Sequence, residues 1–165
     1  MIFVTVGTQK FQFNRLLKII DGLVEQNIIN DKIVCQSGYS TYIPRNYRTI
    51  KFMPQDEYDQ NILKCKLLIT HAGVGTILQA KKYNKKIIVI PRLKKYKEHV
   101  DDHQQQIVSG FATKGLVFKS NGLDLGKVIG ESHQKKLKDY QFNSVAFTNK
   151  LCKVLNELNY NINKN

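Results

Sequence analysis

The clearest chemistry in this 165-residue sequence lies in one turn, His71-Ala72-Gly73-Val74-Gly75-Thr76. Gly73 and Gly75 carry no side chain, so a second group can come close to the backbone. Before the turn lies a short apolar run, Leu67-Leu68-Ile69-Thr70. After it, Ile77, Leu78 and Tyr83 keep helical spacing. The pattern is that of a buried parallel strand feeding a helix. The start of such a helix aims free N–H groups and the positive end of its dipole at the turn. With the Thr76 hydroxyl and a ring donor from His71, the turn becomes a cradle for a phosphate or diphosphate. The spacing is neither the P-loop, which needs a Lys after its last Gly, nor G-x-G-x-x-G. A plain tight strand-to-helix turn fits the same residues.

A second constellation follows in Glu98-His99-Val100-Asp101-Asp102-His103-Gln104. His99 and His103 are four residues apart and share a helix face, which is one way to begin a metal site. No third ligand at a recognisable spacing accompanies them, and His133 is isolated, so a metal is not the leading reading. Between the two constellations, Asn84 suits a helix exit and Ile87-Ile88-Val89-Ile90 forms a strand that Pro91 ends. The whole is a βαβ unit with polar residues just past the carboxyl end of each strand. In open α/β sheets ligands bind at that edge.

The elements that must hold this unit can be read around it. Ile2 to Val6 is a first buried strand, broken at Gly7-Thr8-Gln9. The helix after it repeats Phe13, Leu16, Leu17, Ile20, Leu23 and Val24 at helical spacing. Lys32 to Gln36 is a second strand and Ile50 to Met53 a third. Pro54 suits the first turn of the next helix, whose inner face is Tyr58, Ile62 and Leu63. Tyr39, Tyr42 and Tyr47 pack on the surface or face a partner. Arg92-Leu-Lys-Lys-Tyr-Lys97 is a charge run that flexes over an anionic ligand, touches a membrane, or is simply solvated. Ile107, Val108 and Phe111 pack inward, with Gly110 allowing close helix packing. Gly115 to Phe118 is a last strand, Asn121 caps a short helix through Val128-Ile129, and a terminal helix spans about 143–160. The fold class is α/β, one Rossmann-like parallel sheet flanked by helices, in a single domain over residues 1–165.

Composition bounds the function. Twenty-six Lys and Arg against thirteen Asp and Glu give a formal net charge of +13, which favours an anionic partner: nucleotide, nucleic acid or lipid surface. Cys35, Cys65 and Cys152 lie far apart with no C-x-x-C pair, as in a reducing compartment. No window approaches the ~20 apolar residues a bilayer crossing needs, and the N-terminus lacks the basic flank of a signal peptide. The expectation is a cytoplasmic chain, peripheral to a membrane through a partner. The absence of a clustered aromatic-basic motif weighs against a nucleic-acid partner.

His71-Ala-Gly-Val-Gly75-Thr76-Ile-Leu-Gln79-Ala80, with Asp-Asp-His-Gln some twenty residues on and Val4-Thr5-Val6-Gly7-Thr8 at the N-terminus, resembles the donor-binding, C-terminal half of family 28-type glycosyltransferases. These are GT-B enzymes that use UDP-sugars. Single-domain subunits of split enzymes are the nearest likeness, among them the soluble subunit of the dolichol-linked N-acetylglucosaminyltransferase and bacterial capsule and exopolysaccharide counterparts. The resemblance implies that Gly7, Thr8 and Gln9 line the diphosphate, with His71, Gly73, Val74, Gly75 and Thr76 opposite. It implies that Phe52 and Met53 close over the uracil ring, although Phe52 fits the core equally well. Gln79 would meet the ribose, and Asp102, His103 and Gln104 the sugar hydroxyls. Many relatives have Glu at position 79, so the ribose contact is expected to be weaker here. Glu98 and His99 are the local candidates for a general base, which full-length relatives take from the other half.

The same resemblance implies inverting transfer of galactose or N-acetylglucosamine from UDP to a lipid-diphosphate-linked sugar in polysaccharide biosynthesis. No metal or other cofactor is expected. The partner would be a membrane-associated acceptor-domain subunit, since this length holds only one half. A non-catalytic nucleotide- or nucleic-acid-binding module is the alternative.

Overall fold

The computed structural model describes residues 1–142. The terminal helix expected at 143–160 lies outside the described residues, as does Cys152. Six strands form one parallel sheet: β1 (Ile2–Thr5), β2 (Ile33–Gln36), β3 (Thr49–Ile50), β4 (Leu67–Thr70), β5 (Lys86–Val89) and β6 (Phe118–Lys119). Their order is β3-β2-β1-β4-β5-β6. The connecting helices are α1 (Asn14–Glu25), α2 (Gln55–Lys64), α3 (Val74–Lys82), α4 (His103–Thr113) and α5 (Leu125–Gln134). This is the Rossmann-like α/β arrangement the sequence calls for.

Strand alternation explains the two-sided core. Ile2, Val4 and Val6 point to one face, with Leu67, Ile69, Ile88 and Ile90, and meet Leu16, Leu17 and Ile20 of α1 and Leu125, Val128 and Ile129 of α5. Phe3, Leu68, Ile87 and Val89 point to the other, against Ile62 of α2, Ile77 and Ala80 of α3 and Val108 of α4. Strands covered on both faces read as continuous apolar runs, which is why β1, β4 and β5 are plain in the sequence. Each fully buried side chain of this kind contributes roughly 1.5–3 kcal/mol. Leu68→Ala, at the centre of the second face, would remove about 2–5 kcal/mol.

The topology decides where a ligand can sit. β1 and β4 are neighbours, with Thr5 opposite Thr70, and the Thr70 hydroxyl donates to the Thr5 carbonyl at 3.0 Å. From β1 the chain proceeds to β2 and β3 on one side. From β4 it proceeds to β5 and β6 on the other. The loops after β1 and β4 therefore part from each other, and a crevice opens between them at the carboxyl edge.

Several local expectations change. The third strand is Thr49–Ile50 and not Ile50–Met53; Phe52 and Met53 belong to the loop that enters α2, and Phe52 is 43% exposed. An edge strand of two residues has one neighbour to bond, so it ends early. Leu63 is exposed, leaving Ile62 as the buried apolar residue of α2. A Cβ on Gly110 would meet nothing within 4 Å, so that glycine serves no close packing. The last strand is Phe118–Lys119 because Gly115, at φ +71°, forms the exit from α4. Asp124 stands at the N-cap of α5, and Asn121 accepts from the Leu123 N–H at 2.8 Å just before it. Tyr42 and Tyr47 are anchors: Tyr42 donates to Asp21 at 2.6 Å and Tyr47 to the Leu17 carbonyl at 2.9 Å.

Candidate functional site

A cleft of about 480 Å³ lies at the β1–β4 junction, lined by Gly7, Thr8 and Gln9 from one loop and His71, Gly73, Gly75, Thr76 and Gln79 from the other. Phe52 and Met53 close one side. Ten of the residues singled out in the sequence thus meet in one place.

The two loops are fitted to each other through an imidazole. Gly7 has φ +78°, and a Cβ there would stand 2.6 Å from Cε1 of His71. A Cβ on Gly73 would meet the same ring atom at 2.6 Å. Gly73 therefore also makes room for the His71 ring, a constraint the sequence reading of that glycine did not include. Gly75 is different. It lies inside α3, and a Cβ there would meet nothing within 4 Å. Ile77 makes the first backbone bond of this helix, to Gly73 O at 3.1 Å. The N–H groups of Val74, Gly75 and Thr76 precede it, and no side chain caps them. Open donors, the dipole and the missing side chain coincide at Gly75.

His71 is 7% exposed, and burial, aided by the nearby Arg92 guanidinium and the His99 ring, pushes its pKa down to about 3. It is a neutral ring at physiological pH, able to donate or accept a hydrogen bond but not to act as a cation. Tyr58 reaches from α2 to bond the Thr76 hydroxyl at 3.1 Å. Gln36, at the end of β2, accepts from the Met53 N–H at 3.0 Å and so holds the Phe52–Met53 loop. Gln36, Gln55 and Tyr58 line the cleft and were not among the site residues picked from the sequence, where Tyr58 reads only as a helix's inner face. The position of Gln36 at a strand's carboxyl end was the available signal.

Lys94, Lys95 and Lys97 of the charge run are exposed, but its first cation departs from expectation. Arg92 is fully buried. Its guanidinium donates to the carbonyls of Val6 (2.6 Å), Phe11 (3.1 Å), Gln12 (2.9 Å) and Glu98 (3.1 Å). Burial lowers its pKa to about 10, opposed by Glu98, so it stays charged at neutral pH. It is an internal strut for the loop that carries Gly7 to Gln9, not a flexing surface cation. Lys94–Tyr96 form a short 3-10 turn beyond it.

Glu98 is also fully buried. Arg15 grips both its oxygens, at 2.9 and 2.8 Å, and the Leu93 N–H adds a bond at 3.0 Å. That corrects the expectation of a base here, because the carboxylate is fully buried, held by these three bonds and outside the cleft. Gln104 ties the ends of β4 and β5, its oxygen accepting from Ala72 N–H at 3.3 Å and Arg92 N–H at 3.1 Å. Asp102 accepts from the Lys94 N–H at 2.9 Å at the start of α4. None of His99, Asp102, His103 and Gln104 lines the cleft, and Val74 turns outward at 40% exposed.

His99, Asp101 and His103 bring three potential metal-ligand atoms within 4.8 Å of one another. Asp101 is the third donor the sequence reading missed. Its Oδ1 is hydrogen-bonded to Nδ1 of both rings, so the cluster is internally satisfied as it stands.

A parallel sheet reversing at β1–β4, with the open N-terminus of α3 at the reversal, defines a Rossmann-like α/β domain. The sequence signature described as "Glycosyltransferase family 28 C-terminal domain" matches residues 1–158, and the chain belongs to that family. It is similar to the mouse (Mus musculus) UDP-N-acetylglucosamine transferase subunit ALG13, 27% identical over 132 residues, covering 70% of this chain and 10% of that protein. The Saccharomyces cerevisiae protein of the same name is 36% identical over 76 residues, covering 45% of this chain and 36% of its own length. The chain thus spans about a tenth of the mouse relative and about a third of the yeast one. In fold it resembles the NMR solution structure of ALG13 (TM-score 0.57, 21% identity, 91% of this chain and 93% of that one). It also resembles the crystal structure of Acinetobacter baumannii MurG (TM-score 0.56, 17% identity, 81% and 41%).

Proposed function

We propose that this chain is the donor-binding subunit of an inverting UDP-sugar glycosyltransferase. The donor carries galactose or N-acetylglucosamine, and the acceptor is a lipid-diphosphate-linked sugar in polysaccharide biosynthesis. The observation that carries the reading is the open N-terminus of α3 at Gly75, facing the Gly7–Gln9 loop across one cleft. An acceptor hydroxyl oxygen attacks the anomeric carbon, and the bond from that carbon to the β-phosphate oxygen breaks. UDP leaves with the electron pair, and a base takes the hydroxyl proton. Backbone N–H groups and the helix dipole stabilise the charge that grows on the diphosphate, so the transfer needs no metal.

The base comes from the other half of the active site, which we assign to a separate membrane-associated subunit. That mouse and yeast relatives are named subunits supports a partner. Among the described residues no helix is long and apolar enough to cross a membrane. On this reading the partner holds the chain at the cytoplasmic face of a membrane. A net charge of +13 would aid attraction to an anionic leaflet, within a reach of about 8 Å. Such attraction cannot orient a cleft, whereas a docked acceptor domain can.

The test is transfer from radiolabelled UDP-sugar to a synthetic lipid-linked sugar in detergent. The assay is run with this chain alone, with partner-containing membranes alone, and with both. Transfer only from the combination is expected. Full turnover by the isolated chain would remove the partner from the account.

A further inference from the structure

We propose that Asp59 is a positioning residue for the pentose of the bound nucleotide, acting through Gln79; the inference rests on the donor reading above. Gln79 lines the cleft and lies three and four residues beyond Thr76 and Gly75 on α3. That is one helical turn, about 5.4 Å, from the open N-terminus that takes the diphosphate. In any nucleoside diphosphate the group next to the phosphates is the pentose. A nucleotide running from Gly75 toward Phe52 and Met53 therefore brings its ribose hydroxyls past Gln79.

Asp59 sits half-buried on α2 and does not itself line the cleft. Its Oδ1 accepts from Gln79 Nε2 at 2.5 Å and from Gln55 Nε2 at 2.7 Å. A carboxylate only accepts, so the NH2 end of each amide must face it. The orientation of a Gln amide, otherwise open to a flip, is fixed here by chemistry. Gln79 Oε1 is left turned away from Asp59, and no described residue donates to it. Gln55, which also lines the cleft, is held the same way. One carboxylate thus presents two carbonyl acceptors to a site where a vicinal diol brings two O–H donors. Because Asp59 freezes the Gln79 side chain before binding, less rotamer entropy is lost when the ribose arrives. A carboxylate at position 79 would instead face Asp59 at hydrogen-bonding distance and be repelled. Gln is the residue that lets the pair work.

The experiment measures affinity for UDP and for 2′,3′-dideoxy-UDP in the unaltered chain and in Asp59→Asn, Gln79→Glu and the double variant. Melting temperature is followed for each. The unaltered chain should prefer UDP by about tenfold, a preference worth the one or two hydrogen bonds involved. Asp59→Asn, which lets the Gln79 amide turn either way, should cut that preference to about twofold with little change in dideoxy-UDP affinity. Gln79→Glu should weaken UDP binding, and adding Asp59→Asn should restore it, since an amide at position 59 can donate to a carboxylate at position 79. Should Asp59→Asn alone fail to fold, the Gln79→Glu and double-variant pair carries the same test. An Asp59→Asn chain that keeps the full preference, or a double variant no better than Gln79→Glu, would overturn the role of Asp59. If the unaltered chain binds UDP with no hydroxyl preference, this inference alone falls; if it binds no UDP, the donor reading falls and takes the inference with it.

Discussion

The ring of His71 fills the space that a Cβ on Gly7 would need, with Cε1 only 2.6 Å from that position. The loop after β1 and the loop after β4 are thereby matched to each other before any ligand arrives. Gly7→Ala must both clash with the ring and adopt φ +78°. We expect a loss of about 1–3 kcal/mol in urea denaturation. Gly75→Ala, inside α3 with open space around it, should instead be neutral or stabilising by a few tenths of a kcal/mol to about 1 kcal/mol.

The same ring gives the fold a pH dependence. The His71 pKa is about 3 when folded and about 6.5 when unfolded. Between those values the unfolded chain binds the proton and the folded chain does not. Its contribution is therefore full above about pH 6.5 and is lost as pH falls toward 3, at no more than ~1.4 kcal/mol per pH unit. Denaturation midpoints measured from about pH 7 to about pH 4.5 should fall, and His71→Ala should flatten that slope. The Asp21 and Asp101 carboxyls, held below their usual range by hydrogen bonds, act only at more acidic pH.

Arg92 and Glu98 are expected to matter for stability first. Arg92→Met leaves the carbonyls of Val6, Phe11, Gln12 and Glu98 without their shared donor. Glu98→Ala strands a charge on Arg15. Each should cost about 3–5 kcal/mol in chemical denaturation, the range for breaking a buried ion or ion pair. Arg92→Lys should rescue little, since an ammonium cannot fork to four carbonyls. A Glu98→Gln chain with parental stability and no transfer activity in the reconstituted assay would return Glu98 to the chemistry.

These residues mark where the sequence is legible and where it is not. β1, β4 and β5 are covered on both faces, so their apolar runs announce themselves, and the turns after β1 and β4 carry glycines at the ligand edge. The ten cleft residues legible in the sequence all sit at those turns, on α3 or in the loop before α2. In the sequence Arg92 reads as part of a charge run and Glu98 as a candidate base, because their burial comes from distant partners and leaves no local pattern. Val6 is 86 residues from Arg92, and Arg15 is 83 residues from Glu98. Gln104 looks like a ligand contact, yet it closes the β4 and β5 ends through two backbone N–H groups. Asp59 was overlooked because its meaning comes only from facing Gln79 across two helices. The short edge strand β3 misled in the other direction, its flanking Phe52 and Met53 reading as more strand.

The most direct measurement of the central claim is calorimetric titration of UDP in EDTA, which also strips any ion from His99, Asp101 and His103. We expect the unaltered chain to bind with saturable heat at or below millimolar UDP. Gly75→Val, whose branched side chain would stand over the open N–H groups of α3, should bind at least about tenfold more weakly while melting like the parent. A folded parent that gives no heat at millimolar UDP, or a Gly75→Val chain that binds as the parent does, would contradict the placement of the donor in this cleft.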